Sequence, residues 1–173
     1  MKERIRNFLL NYSNRRSLKK NVHRKMFLQK PVQDVVVLQR SSNPMPEKTV
    51  QLIADLFEMS IDRIRFLSVS EQEEDKGSPN HLYLQPDRVN YRGVLPLDVS
   101  RFCGFEVDVL INYFDDTDPL IYYLSLKFNA AFRLGFAPTD PRLNHIIFNF
   151  GLTNSATLAV ELPKYLKPIL ASA

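Results

Sequence analysis

The run Asp34-Val35-Val36-Val37-Leu38-Gln39 constrains this chain more than any other segment. Successive valines are stiff about χ1 and suit an extended backbone, and the run is too short for a helix of its own. Its apolarity is continuous where a half-buried strand would alternate. Such runs belong to strands covered on both faces, as in parallel sheets flanked by helices. The loop Ser41-Ser42-Asn43-Pro44-Met45-Pro46 follows, and a helical period then runs from about Pro46 to Met59, with Val50, Ile53, Ala54 and Phe57 at i, i+3, i+4 and i+7. The segment 64–69 supplies the next strand. Strand, helix and strand in this order form a βαβ unit, which is right-handed almost without exception.

The same grammar recurs downstream: a strand at 107–113, a helix over Pro119–Asn129, a strand at 131–136 and a further strand at 145–150. The tail from about Ser155 to Leu170 reads as a helix that Pro163 and Pro168 kink or delay. His81-Leu82-Tyr83-Leu84 suits a short strand, and Pro86, Gly93 and Pro96 interrupt what comes after it. The expectation is an α/β fold: a Rossmann-like three-layer domain over residues 31–173 with a mostly parallel sheet. The strands 35–37 and 109–111 should lie at its centre.

Charge is distributed unevenly. The first 30 residues hold 10 Lys and Arg against Glu3 alone, whereas residues 31–173 carry 13 basic and 18 acidic groups, so a basic arm precedes an acidic body. Within this arm, Ile5, Phe8, Leu9 and Tyr12 fall on one helical stripe, and Leu18, Val22 and Met26 repeat at i+4 beyond a polar break at Asn11–Asn14. Pro31 closes the arm. Arg4, Arg6, Phe8, Arg15, Arg16, Lys19, Lys20, Arg24 and Lys25 are its candidate contacts. The apolar stripe could dock on the body or on a second subunit of the same chain. The cations could instead meet an anionic membrane surface or nucleic acid.

Several classes are disfavoured. One cysteine, Cys103, permits neither an intramolecular disulfide nor a multi-cysteine zinc site, and its run Phe102-Cys103-Gly104-Phe105 suits a buried, inert thiol. The longest uncharged run, Leu143–Val160, includes His145, Asn149, Asn154 and Ser155 and is too polar to cross a bilayer. The apolar stretch Phe8-Leu9-Leu10 is too short for a signal peptide, and a cytoplasmic location is expected. No phosphate-binding glycine motif occurs among the 5 glycines, and no G-x-S-x-G elbow is present. His23, His81 and His145 have no convincing nucleophile beside them in sequence. No catalytic residue, cofactor or metal ligand set emerges.

Some phrases carry a resemblance. Asp87-Arg88-Val89-Asn90-Tyr91-Arg92-Gly93, then Asp108-Val109-Leu110-Ile111-Asn112-Tyr113, Ala131-Phe132-Arg133-Leu134-Gly135-Phe136 and Asp140-Pro141-Arg142-Leu143-Asn144 resemble a family of small Bacteroidetes proteins with basic N-terminal arms. That likeness spans about residues 1–170 and implies no activity. Residues 106–136 are also similar to the N-terminal half of heptosyltransferase-like GT-B glycosyltransferases. The first strand, however, runs into Gln39-Arg40-Ser41-Ser42 without that family's Gly-Asp motif, and the second, donor-binding domain has no counterpart in this sequence.

Open α/β sheets bind ligands beyond the carboxyl ends of their strands. The loops there supply Ser41, Ser42, Asn43, Asp115, Asp116, Asp118, Thr153, Asn154 and Ser155 as a candidate ligand crevice. Each of these residue types also caps helices, and Asp118 before Pro119 has the form of a capping residue ahead of proline at the first helical position. The reading that follows is a non-catalytic binding or scaffolding module that works through its arm. The alternative is a nucleotide- or nucleotide-sugar-binding domain related to half of a GT-B enzyme.

Overall fold

A computed structural model describes residues 2–21, 31–72, 78–152 and 155–172. Six strands form one sheet: β1 (Val35–Arg40), β2 (Ile64–Val69), β3 (His81–Leu84), β4 (Glu106–Tyr113), β5 (Asn129–Phe136) and β6 (Ile146–Phe148). Their order is β3-β2-β1-β4-β5-β6, and every neighbouring pair is parallel. β1 lies between β2 and β4, with Val35 opposite both Ile64 and Val109. Val35 to Leu38 are completely buried, as a continuous apolar run in a two-sided sheet requires. Asp108 fixes the start of β1 by accepting hydrogen bonds from the Gln33 and Asp34 N–H groups at 2.7 and 3.0 Å.

Helices cover both faces. α2 (Glu47–Leu56) and α5 (Ser155–Ser172) lie on one, where Val50, Ile53, Leu158, Leu162 and Leu166 meet Val35, Val37, Val109 and Ile111. α1 (Lys2–Asn21), α3 (Leu97–Gly104) and α4 (Pro119–Lys127) lie on the other, where Leu10, Leu18, Val99, Ile121 and Leu124 meet Val36, Leu38, Leu67 and Leu110. α3 has no counterpart in the sequence reading. It is brief, and only Val99 and Cys103 are buried along it. α5 runs through both Pro163 and Pro168 without ending at either, and both lie off its buried leucine stripe.

The polar break expected at Asn11–Asn14 does not interrupt α1. Asn14 is buried, and its Nδ2 donates to the Pro119 carbonyl of α4 at 2.8 Å, so the polar residue is part of the docking face. The expected repeat at Val22 and Met26 lies outside the described residues.

Candidate functional site

The strand order reverses direction between β1 and β4, so the carboxyl ends of these two strands mark the place where such sheets bind ligands. Arg40, the last residue of β1, occupies it. Its Nε donates to Asp116 and its Nη2 to Asp118 at 2.8 Å. Burial disfavours the Arg40 charge, and the two carboxylates more than restore it, raising its pKa further above the ordinary value. Burial likewise pushes the Asp116 carboxyl up, but the Arg40 hydrogen bond, the Asp118 N–H and the Arg40 charge outweigh that and hold it below the usual carboxylate range. Asp118 also caps α4, accepting from the Leu120 N–H at 2.7 Å.

A cavity of about 560 Å³ opens beside this cluster, lined by Arg40, Ser41, Ser42, Ser70, Glu71, Gln72 and Asp118 among others. The structure therefore brings Ser41, Ser42 and Asp118 to the cavity, with Asp116 beside it through its hydrogen bonds from Arg40 and the Asp118 N–H. Among the described residues Asn43 makes only a backbone bridge back to Arg40, and Asp115 is exposed and does not line the cavity. Thr153 and Asn154 lie outside the described residues, and Ser155 opens α5. Two carboxylates already neutralise Arg40, so the crevice offers a phosphate no unpaired cation from that residue. Among the described residues, no group of three or more His, Cys, Asp or Glu is placed to hold a metal ion.

The phrases that carry the resemblance have structural duties. Arg133 is buried under α4, donating through Nη1 to the Ser125 carbonyl at 2.9 Å and through Nη2 to the Phe128 carbonyl at 2.6 Å. Its charge thus meets the negative end of the α4 dipole and its last carbonyls. Gly135 leaves room for the Asn144 side chain, which a Cβ would strike. Asn144 Oδ1 then accepts from Asn112 Nδ2 at 2.6 Å. His145 Nδ1 accepts from the Arg133 N–H at 3.0 Å. Cys103 is buried, and burial pushes its thiol up to about 12, with Lys127 pulling slightly the other way. The sequence reading also missed a polar chain across β1, β2 and β3. Gln39 Nε2 donates to Ser68 Oγ at 3.1 Å, and Ser68 Oγ lies 2.7 Å from His81 Nε2. Ser68 is inaccessible to solvent, so this pairing cannot present a nucleophile to a substrate.

The second candidate surface is α1. Leu10, Asn14 and Leu18 turn inward at i+4 spacing. Arg6 Nη1 donates to the Pro86 carbonyl at 2.6 Å, and Leu10 lies against Gly93, whose φ of +78° suits glycine. The expected stripe of Ile5, Phe8, Leu9 and Tyr12 does not dock on the body: these side chains are 45, 71, 38 and 67 % exposed. Arg4, Arg15, Arg16, Lys19 and Lys20 are exposed as well, and among the described residues none of them forms an ion pair. By the 100° advance per residue, Arg15, Arg16 and Lys19 continue the outward direction of Ile5, Phe8 and Tyr12. Arg24 and Lys25 lie outside the described residues.

The chain belongs to DUF6913, a family of unknown function whose model matches residues 6–169. No curated protein and no solved structure matches it.

Proposed function

We propose that this chain is a non-catalytic binding module whose working surface is the outward face of α1. The observation that supports this most is the orientation of that helix. It docks through Leu10, Asn14 and Leu18 and leaves an apolar cluster in water beside cations that form no ion pair among the described residues. Lys19 and Lys20 also complement the α1 dipole, but Arg15 and Arg16 stand a turn earlier, where that benefit fades. In this reading residues 1–30 are the interaction element and residues 31–173 the domain that presents it.

A second reading, a nucleotide- or nucleotide-sugar-binding domain akin to half of a GT-B enzyme, draws on the cavity at the strand-order reversal. Arg40, held by Asp116 and Asp118, weighs against it.

The test uses heparin as a general polyanion. The full chain should be retained in a salt-dependent manner, and replacing Arg15, Arg16, Lys19 and Lys20 together by Gln should release it at markedly lower salt with an unchanged melting temperature. Equal retention of both proteins would remove the reading. A reproducible rise in melting temperature with nucleotides or nucleotide-sugars would favour the second, since saturation at a hundredfold over Kd adds about 2.7 kcal/mol.

A further inference from the structure

We infer that the partner of the outward α1 face is an anionic lipid bilayer, an inference that rests on the reading of α1 as the working surface. The face is divided along its length. Ile5, Phe8, Leu9 and Tyr12 occupy its first three turns, flanked there by the exposed Lys2 and Arg4, and Arg15, Arg16 and Lys19, flanked by Lys20, its last two. A partner must therefore take protruding apolar side chains and accept cations within one helix length, about 30 Å.

A bilayer supplies both in layers. Its headgroup phosphates meet Lys and Arg, and the acyl boundary lies a few Å beneath for Phe8, Ile5 and Leu9. Tyr12 suits the headgroup level, with an apolar ring and a polar tip. Long basic side chains can reach phosphates while their stems stay against apolar surface. The helix is attached to the body on its opposite side, so it can lie flat on a surface without leaving its place.

Other occupants fit less of this. A nucleic-acid duplex would take the cations but leave four apolar side chains without a role, since its affinity comes from phosphate contacts. A second copy would set this face against itself, and α1 carries seven basic residues against Glu3. A two-fold interface there would bring like charges together.

The sequence contains no tryptophan, so Phe8→Trp in the full chain makes a single reporter. With vesicles of phosphatidylcholine and phosphatidylglycerol, its emission should shift to the blue and be quenched by brominated acyl chains, both effects fading as salt rises. Tyr165→Trp places a reporter on exposed α5, on the other side of the sheet, and should remain unquenched. Replacing Arg15, Arg16, Lys19 and Lys20 by Gln should lower partitioning at least about tenfold, each cation near such a surface being worth roughly fivefold. Phe8→Ser should also weaken it while sparing the melting temperature.

If the emission of the Phe8→Trp protein is unmoved by vesicles while heparin retention still depends on the four cations, the lipid inference fails and the binding surface stands. Loss of both removes the surface itself. Binding of duplex DNA that Phe8→Ser leaves intact, in place of vesicle binding, would overturn the inference in favour of nucleic acid. Sedimentation as a dimer that Phe8→Ser dissolves would overturn it in favour of a second copy.

Discussion

The two terminal helices, α1 and α5, lie on opposite faces of the same sheet and dock by opposite choices. α5 turns its stripe of Leu158, Leu162, Leu166 and Leu170 inward, and all of these are buried. α1 turns in Leu10, Asn14 and Leu18 at the same spacing and keeps its larger apolar stripe outside. Burial of Phe8, Ile5 and Leu9 would gain about 1.5–3 kcal/mol each, so hydrophobicity alone favours the reverse docking. The cations decide. Arg15, Arg16 and Lys19 share the outward direction, and burying a charge without a partner costs several kcal/mol per ion. A helix therefore docks by the face that is cheapest to dry, which need not be its most apolar one.

Replacing one member of the α5 stripe by the residue that α1 uses tests this most severely. Leu166 is fully buried among leucines, so Leu166→Asn loses its packing and strands an amide without a partner. The expected loss is about 4 kcal/mol or more, read as a fall in the denaturant midpoint. A loss under about 1 kcal/mol would mean that α5 tolerates polarity as α1 does. Leu10→Ala should follow at about 2–3 kcal/mol, because Leu10 is buried against Gly93 and the helix can close part of the gap. A negligible effect would show α1 to be detached from the body in solution.

The sheet was legible in the sequence because burial on both faces writes itself as unbroken apolar runs. Val35 to Leu38 and Val109 to Ile111 lie at the centre as that pattern requires. The capping of α4 by Asp118 was legible too, since proline at the first helical position leaves little choice. What pattern could not give was pairing across long separations. Nothing local to Arg40 announces Asp116 and Asp118, and nothing near Gly135 announces the Asn144 side chain that needs its space. In α1, two stripes compete on one helix. The hydrophobic period reports both, and the choice between them depends on charges whose cost appears only when a body is present. The short α3 escaped because few of its residues reach the core.

Asn14 offers a smaller contrast. Its Nδ2 bond to the Pro119 carbonyl is made by a buried amide, and its Oδ1 has no hydrogen-bond partner among the described residues. The net worth of one such bond is about 1 kcal/mol, and an unpaired buried acceptor costs about as much or more. Asn14→Leu restores the pattern of α5 with a side chain of the same branched shape, so it should stabilise the protein by about 1 kcal/mol, seen as a rise in melting temperature. A fall would mean that the Pro119 contact fixes the seating of α1 more strongly than packing can replace.

The smallest effect is expected where apolar content would suggest the largest. Phe8 is 71 % exposed and lies on the side of α1 turned away from the sheet, so Phe8→Ser removes little buried surface. Serine and phenylalanine have nearly equal helix propensity, so the exchange adds almost no cost in an exposed turn. The change in stability should thus stay within about 0.5 kcal/mol by chemical denaturation, against the several expected at Leu166. If Phe8→Ser instead lowers stability by more than about 1 kcal/mol in dilute solution, the phenyl ring is packed against something, and the outward face of α1 is not free. If the same loss grows with protein concentration, that packing is between copies of the chain, since only then does mass action link folding to association.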